Sequence, residues 1–138
     1  MENKNITLAS FKSLLVLITF TMTLFAFGKA SAQNKDLIVR VAKLQIDSAQ
    51  LDSYNAALKE HAETAVRVEP GVITLYAVAE KENPTHIMVF EIYANAAAYQ
   101  AHLQAPHFKK YKEVTKNMVK SLQLVETDPI VLAAKPKL

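Results

Sequence analysis

Histidines and one carboxylate in an apolar segment are the side chains best suited to chemistry. His102 and His107 lie five residues apart with Pro106 between them, and His61 lies on the apolar stripe of a predicted helix. The five-residue spacing of His102 and His107 differs from the i, i+4 spacing of a helical metal-binding pair, so we predict no metal site. A neutral imidazole beside a carboxylate can instead accept and return a proton. For His61 alone we favour a core-edge histidine bonded to backbone or water.

Glu91 interrupts the apolar segment 85–94. In a strand its side chain shares a face with Tyr93, two residues on. A carboxylate in such a place must be paired or hydrogen-bonded, or its pKa rises. Two interpretations stay open: a structural bond to a helix, or a polar group lining a pocket between sheet and helices.

The elements that must position these residues follow from hydrophobic periodicity. The pattern predicts strands over 36–46, 71–79, 85–94 and 121–125, a further short edge segment over 130–132, and helices from Leu51, over 96–104 and from Pro106. Glu69-Pro70-Gly71 ends the first helix, because Pro70 disfavours helical geometry before it and Gly71 can take a positive φ. The order β-α-β-β-α-β predicts an α+β, ferredoxin-like sandwich, with helices on one face of a four-stranded antiparallel sheet.

Composition excludes several classes of function. The chain has 138 residues, 51% of them hydrophobic, which suits one domain. It has no Cys, so disulfides, thiolate zinc sites and cysteine nucleophiles are excluded, and two glycines are too few for a phosphate-binding loop. Residues 33–138 carry 13 basic and 12 acidic side chains, so we expect no nucleic-acid partner.

The first 32 residues resemble an export signal. Lys4 and Lys12 precede an uncharged run over 14–27, and Ala30-Ser31-Ala32 has the small-x-small pattern of a cleavage site. We therefore predict cleavage after Ala32, a single domain over 33–138 with its core over about 37–125, and a periplasmic or secreted protein without stable membrane insertion. An uncleaved N-terminal anchor is the alternative.

Both faces of the predicted strands carry apolar side chains. The helices cover one face of the sheet, and a second copy of the chain is the simplest cover for the other. We therefore expect a homodimer.

Three motifs together resemble a known family. They are Glu69-Pro70-Gly71, the Phe-Glu-x-Tyr sequence that ends at Tyr93, and His102 followed by Pro106-His107-Phe108. Over roughly 37–125 the chain resembles the antibiotic biosynthesis monooxygenase (ABM) domain family, and more narrowly its quinol monooxygenase group. The resemblance implies a dimeric α/β barrel of ferredoxin-like subunits, each with a pocket between sheet and helices. It also implies oxygenation of a small aromatic phenol or quinol by molecular oxygen, without metal or flavin cofactor.

The resemblance also implies roles for particular residues. The catalytic candidates are His102, Glu91 and His107, and the substrate-binding candidates are Tyr93, His61, Tyr76 and Phe108. Haem-degrading members of the superfamily have Trp, His and Asn where this chain has Tyr93, Lys112 and Ala42, so we do not expect haem degradation.

Three functions remain open from the sequence. The leading one is an exported, cofactor-independent monooxygenase. A non-catalytic dimeric module that binds a small ligand is an alternative, because a fold does not fix a function. An isomerase or other proton-transfer enzyme that uses the same His and Glu side chains is the third.

Overall fold

The computed structural model describes residues 36–135, so the predicted export signal over 1–32 lies outside the described part. The elements, in chain order, are β1 (Ile38–Ile46), a 3-10 turn (Ser48–Gln50), α1 (Leu51–Val68), β2 (Val72–Ala79), β3 (His86–Tyr93), α2 (Ala96–Gln104), α3 (Pro106–Thr115) and β4 (Val119–Thr127). This order confirms the predicted β-α-β-β-α-β arrangement. The fold is ferredoxin-like.

The four strands form one antiparallel sheet in the order β2-β3-β1-β4. The register places Arg40 of β1 beside Glu91 of β3, and Tyr93 at the end of β3 beside Val72 at the start of β2. The polar residues of the central strands therefore lie at the same end of the sheet as the loop that joins α1 to β2.

The core lies between the sheet and the helices. Alternate side chains of the central strands meet the apolar stripe of α1, and the buried members of this layer include Ala42, Leu44, Ile46, Tyr54, Leu58, Ala65, Leu75, Ile87, Val89 and Tyr93. Burial of each larger aliphatic side chain contributes about 1.5–3 kcal/mol. Leu122 and Leu124 of the edge strand β4 share the register of this layer but remain half-exposed.

The opposite face of the sheet carries no helix of the described chain, and it is largely apolar. Val39 and Ile92 are buried there, whereas Tyr76, Val78 and Met88 are exposed by 67%, 58% and 38%. These exposed side chains come from the adjacent strands β2 and β3 and form a continuous patch.

Three local features differ from what the sequence pattern indicates. Gly71 does not use the positive φ open to a glycine; a glycine is required there because a Cβ would overlap the Cβ of Ala98 in α2. The short edge segment expected over 130–132 is not a strand, and β4 is longer than predicted, because its backbone pairs with β1 as far as Thr127. Within residues 36–135, no helix is long and apolar enough to span a bilayer.

Candidate functional site

Three histidines from three helices meet on the inner side of the helical layer. The ring of His61 in α1 lies 5.2 Å from the rings of both His102 in α2 and His107 in α3. The His102 and His107 rings are 6.0 Å apart. Residues as distant in sequence as 61 and 107 therefore form one histidine cluster.

Helix ends fix the positions of two of these rings. The Asn95 side chain accepts a hydrogen bond from the Ala98 N–H at 2.9 Å and so begins α2. Ala105 is extended between α2 and α3, and Pro106 begins α3 at a position that needs no N–H donor. His102 thus lies in the last turn of α2 and His107 in the first turn of α3, which turns both rings toward α1.

The Glu69 carboxylate contacts two of the three histidines. Its Oε1 accepts a hydrogen bond from His102 Nδ1 at 2.8 Å, and His107 Nε2 lies 2.9 Å from the same oxygen, though not aligned for a hydrogen bond. Glu69 follows the last residue of α1 directly. In the sequence, Glu69 stands out only as part of a helix-ending motif, so its place in the site follows from the tertiary contacts alone.

This contact determines which nitrogen of His102 carries the proton. A carboxylate only accepts hydrogen bonds, so Nδ1 is the protonated nitrogen and Nε2 of the neutral ring has a free lone pair. His102 is 1% exposed, and its Nε2 has no hydrogen-bond partner among residues 36–135. Burial lowers the pKa of His102, although Glu69 opposes that effect. The ring is therefore a neutral base held in place by a carboxylate.

His61 is the second neutral imidazole. Its Nδ1 lies 3.1 Å from Nδ1 of His107, so one ring donates to the other, and it stacks on Tyr111 at 4.8 Å with an 11° interplanar angle. Burial, together with the neighbouring His102 and His107, lowers the pKa of His61 to about 3. Because that value is far below 7, His61 can relay hydrogen bonds but carries no charge near neutral pH.

Aromatic rings pack around His102. Tyr93 lies 5.1 Å and Phe108 lies 4.9 Å from the His102 ring. Tyr99 contacts Tyr93 edge-on at 5.1 Å. These rings give the base apolar, π-rich surroundings.

Glu91 lies on the same face of β3 as Tyr93, two residues before it. Burial raises its pKa, whereas a hydrogen bond with Tyr93 and the positive charge of Arg40 act in the opposite direction. The Arg40 guanidinium donates from Nη1 to the Tyr99 hydroxyl and lies 4.6 Å from the centre of the Tyr99 ring. A second polar group, from β1 and β3, therefore adjoins the histidine cluster.

The structure thus brings together six of the seven predicted site residues: His102, Glu91, His107, Tyr93, His61 and Phe108. Tyr76 lies elsewhere, because its register partner is Phe90 and its side chain projects from the helix-free face. Its ring is 67% exposed.

Solvent approaches the histidine cluster between α1 and α3. A cavity of about 50 Å³ there is lined in part by His61, His107 and Tyr111. The Lys110–Glu60 ion pair, at 2.6 Å, joins the two helices beside it. Larger hollows of about 300 and 380 Å³ lie against β2 and at one end of the sheet, away from the histidine cluster, and the second is lined in part by His86.

In the described part of the chain, no group of three or more His, Asp and Glu side chains is arranged to hold a metal ion. The site consists of a carboxylate, imidazoles and aromatic rings, a combination suited to moving a proton on and off an organic substrate.

Fold and site together define a small α+β protein with a buried histidine–carboxylate pair at the helix–sheet interface. The family model described as "Antibiotic biosynthesis monooxygenase" (ABM) matches residues 37–114. The chain belongs to this family.

Solved structures agree with that assignment. A "putative antibiotic biosynthesis monooxygenase" from Bacteroides thetaiotaomicron is 49% identical, with a TM-score of 0.72 over 75% of this chain and 99% of that one. A "putative monooxygenase" from Lactobacillus acidophilus is 31% identical, with a TM-score of 0.64 over 64% of this chain and 42% of that one. A Nitrosomonas europaea protein at 16% identity, TM-score 0.65 over 69% of this chain and 91% of that one, shares the fold. No curated protein matches the chain.

Proposed function

We propose that this protein is an exported, cofactor-independent monooxygenase that oxidises a small aromatic quinol or phenol with molecular oxygen. The observation that supports this most is the buried Glu69–His102 pair, whose imidazole has an unpartnered Nε2 and packs among aromatic rings. Family membership supports a monooxygenase activity.

The reaction begins with loss of the phenolic proton to His102 Nε2. Glu69, bonded to Nδ1, stabilises the imidazolium that forms, and this is the role of a carboxylate behind a catalytic histidine. The resulting phenolate is electron-rich and can pass one electron to oxygen. The superoxide and phenoxyl radicals then combine at a ring carbon to form a peroxide anion, which takes the proton back from His102 and becomes a hydroperoxide.

The hydroperoxide loses water to complete the reaction. One oxygen atom stays on the ring and the other leaves in water, so a quinol and O₂ give a hydroxyquinone and H₂O. The departing hydroxide leaves as water with the ring C–H proton, and His102 is again neutral for the next cycle. The buried, aromatic surroundings exclude bulk water from the radical pair.

The other candidate residues have supporting roles in this scheme. Tyr93 and Phe108 form the wall against which the substrate ring packs. His107 contacts the same Glu69 oxygen as His102, so it shares the charge that develops on that pair. Glu91 lies beside Tyr93 and orients its hydroxyl.

Oxygen uptake by purified, metal-free protein with a panel of quinols tests this function. We expect uptake that depends on the protein and persists in excess chelator, with one O₂ consumed per hydroxyquinone formed. Tight quinol binding without uptake contradicts the proposal and favours a binding module.

The same residues can also carry a reaction that needs no oxygen. A histidine held by a carboxylate moves protons between carbon and oxygen atoms of an enolisable substrate just as well. Turnover that proceeds unchanged under argon therefore indicates an isomerase and overturns the oxygenase assignment.

We further propose that the active form is a homodimer closed through the helix-free face of the sheet. The exposed patch of Tyr76, Val78 and Met88 supports this, since such a contiguous apolar surface is normally covered. Export with cleavage after Ala32 also remains our proposal, on the sequence features of 1–32.

A further inference from the structure

Arg40 is a buried cation with little to neutralise it. The residue is only 8% exposed and lies in the inner layer between sheet and helices. Its one ion pair within residues 36–135 is with Glu126 at 3.8 Å, and the Glu126 side chain is 84% exposed. Its Nε is buried and has no hydrogen-bond partner in the same part of the chain.

Such an arrangement is costly for a protein that has nothing to bind. A buried guanidinium destabilises a fold unless its donors and its charge are satisfied. Glu91 is the cross-strand neighbour of Arg40, but the two form no ion pair within 4.0 Å among the described residues. Burial raises the pKa of Glu91, which favours its neutral form and reduces its ability to balance Arg40.

Arg40 adjoins the histidine cluster through a short series of contacts. Its guanidinium contacts the ring and hydroxyl of Tyr99, the Tyr99 ring contacts Tyr93, and the Tyr93 ring contacts His102. The tyrosines intervene between the two groups. A substrate oxygen bound at Arg40 is therefore a different atom from the oxygen deprotonated at His102.

We propose that Arg40 binds a carboxylate substituent of the substrate, so that the site selects dihydroxybenzoates over uncharged quinols. The Nε and Nη2 N–H groups of a guanidinium form a fork that matches a carboxylate, and the unpartnered Nε of Arg40 is half of that fork. The exposed Glu126 carboxylate lies 3.8 Å from Nη2, the other half, and is displaced when the substrate carboxylate binds. This inference deepens the proposed function and rests on its assignment of an aromatic substrate to this site.

Binding under argon separates this proposal from the catalytic one. Calorimetric titration compares 2,5-dihydroxybenzoate with hydroquinone, which differs only by the carboxylate. We expect wild type to bind the carboxylate probe about ten- to hundredfold more tightly, the range of one charge-assisted, bidentate contact. No oxygen is consumed, so absence of oxygenase turnover leaves this result unaffected.

Variants then assign the effect to Arg40. Arg40→Gln should abolish the preference while hydroquinone binding is unchanged, and Arg40→Lys should retain part of it. Arg67→Gln is the matched control, because Arg67 is exposed on α1 and has only a 3.5 Å contact with Thr64. Circular dichroism and thermal melting establish that each variant is folded.

Glu126→Gln provides a test that leaves Arg40 in place. It removes the charge that competes for Nη2, so the carboxylate probe should bind more tightly, whereas hydroquinone should not. Equal wild-type affinity for both probes, binding of neither, or equal weakening of both in Arg40→Gln would overturn the proposal. So would unchanged selectivity in Arg40→Lys and Glu126→Gln if Arg40→Gln does not fold.

Discussion

The carboxylate of Glu69 and the imidazole of His102, 33 residues apart in the chain, are joined by a 2.8 Å hydrogen bond. Glu69 ends one helix and His102 lies in the last turn of another, so the contact depends on the packing of α1 and α2 at one end of the sheet. It fixes the His102 tautomer and leaves Nε2 as the base.

We predict that His102→Gln lowers the rate of oxygen uptake about a hundredfold or more, because the general base is lost. Glu69→Gln should lower it too, since an amide does not stabilise an imidazolium as a carboxylate does. The matched control is the surface pair His86 and Glu80, 3.3 Å apart and half-exposed. Substitution of His86 or Glu80 by Gln should leave the rate unchanged, and wild-type turnover by a folded His102→Gln variant refutes the assignment.

Stability should fall at acidic pH because of His61. Its pKa is 6.5 when unfolded and about 3 in the folded protein. Between those values the unfolded state binds a proton that the folded state does not, so the free energy of unfolding decreases as pH drops, by up to about 1.4 kcal/mol per pH unit. His61→Gln removes this proton uptake. Urea unfolding from pH 6.5 to 4.5 should therefore show a shallower pH dependence in the variant; parallel curves contradict the prediction.

The fold could be predicted from the sequence because its signals are local. The alternation in β1 and the steps of three and four in α1 depend on which face each residue buries, and both elements begin and end within two residues of the expected positions. The ends of β4 could not be predicted from a pattern of buried and exposed residues. Most of its side chains are exposed, so backbone pairing with β1 rather than an apolar pattern sets its ends.

The candidate site could be predicted only in part. The histidines and Tyr93 stand out as polar or aromatic groups in apolar segments. Glu69 and Arg40 do not, because a glutamate at a helix end and an arginine within a strand are ordinary in sequence. Their importance comes from tertiary contacts: Glu69 meets two helices, and Arg40 becomes buried when α2 packs over β1.

The close approach of Gly71 to Ala98 gives a prediction about stability. A methyl group at Gly71 overlaps the Ala98 Cβ, so Gly71→Ala should destabilise the protein by about 1–3 kcal/mol through overpacking. Ala98→Gly alone should cost about 1 kcal/mol as a helix substitution. In the double variant the glycine makes room for the new methyl, so the combined loss should be smaller than the two single losses together. Additive losses in urea unfolding contradict this explanation.

Export is tested by N-terminal sequencing of protein recovered from the periplasm or medium. The small-x-small sequence Ala30-Ser31-Ala32 should place the new N-terminus at Gln33. Ala32→Leu should block cleavage, because the peptidase accepts only a small side chain there, whereas Gln33→Leu should not. Exported protein that retains Met1 contradicts the prediction and favours the anchor.

Dimerisation through the helix-free face should depend on Val78. Its side chain is 58% exposed beside Met88 in the apolar patch, and burial of a lysine against a second copy would desolvate an unpaired charge. Val78→Lys should therefore give a monomer in light scattering at micromolar concentration, where wild type should be a dimer. Val66→Lys is the matched control, since Val66 is 48% exposed on α1, outside the sheet, and should leave the dimer intact. A wild-type monomer would contradict the homodimer, and a Val78→Lys dimer of wild-type stability on dilution would place the interface elsewhere.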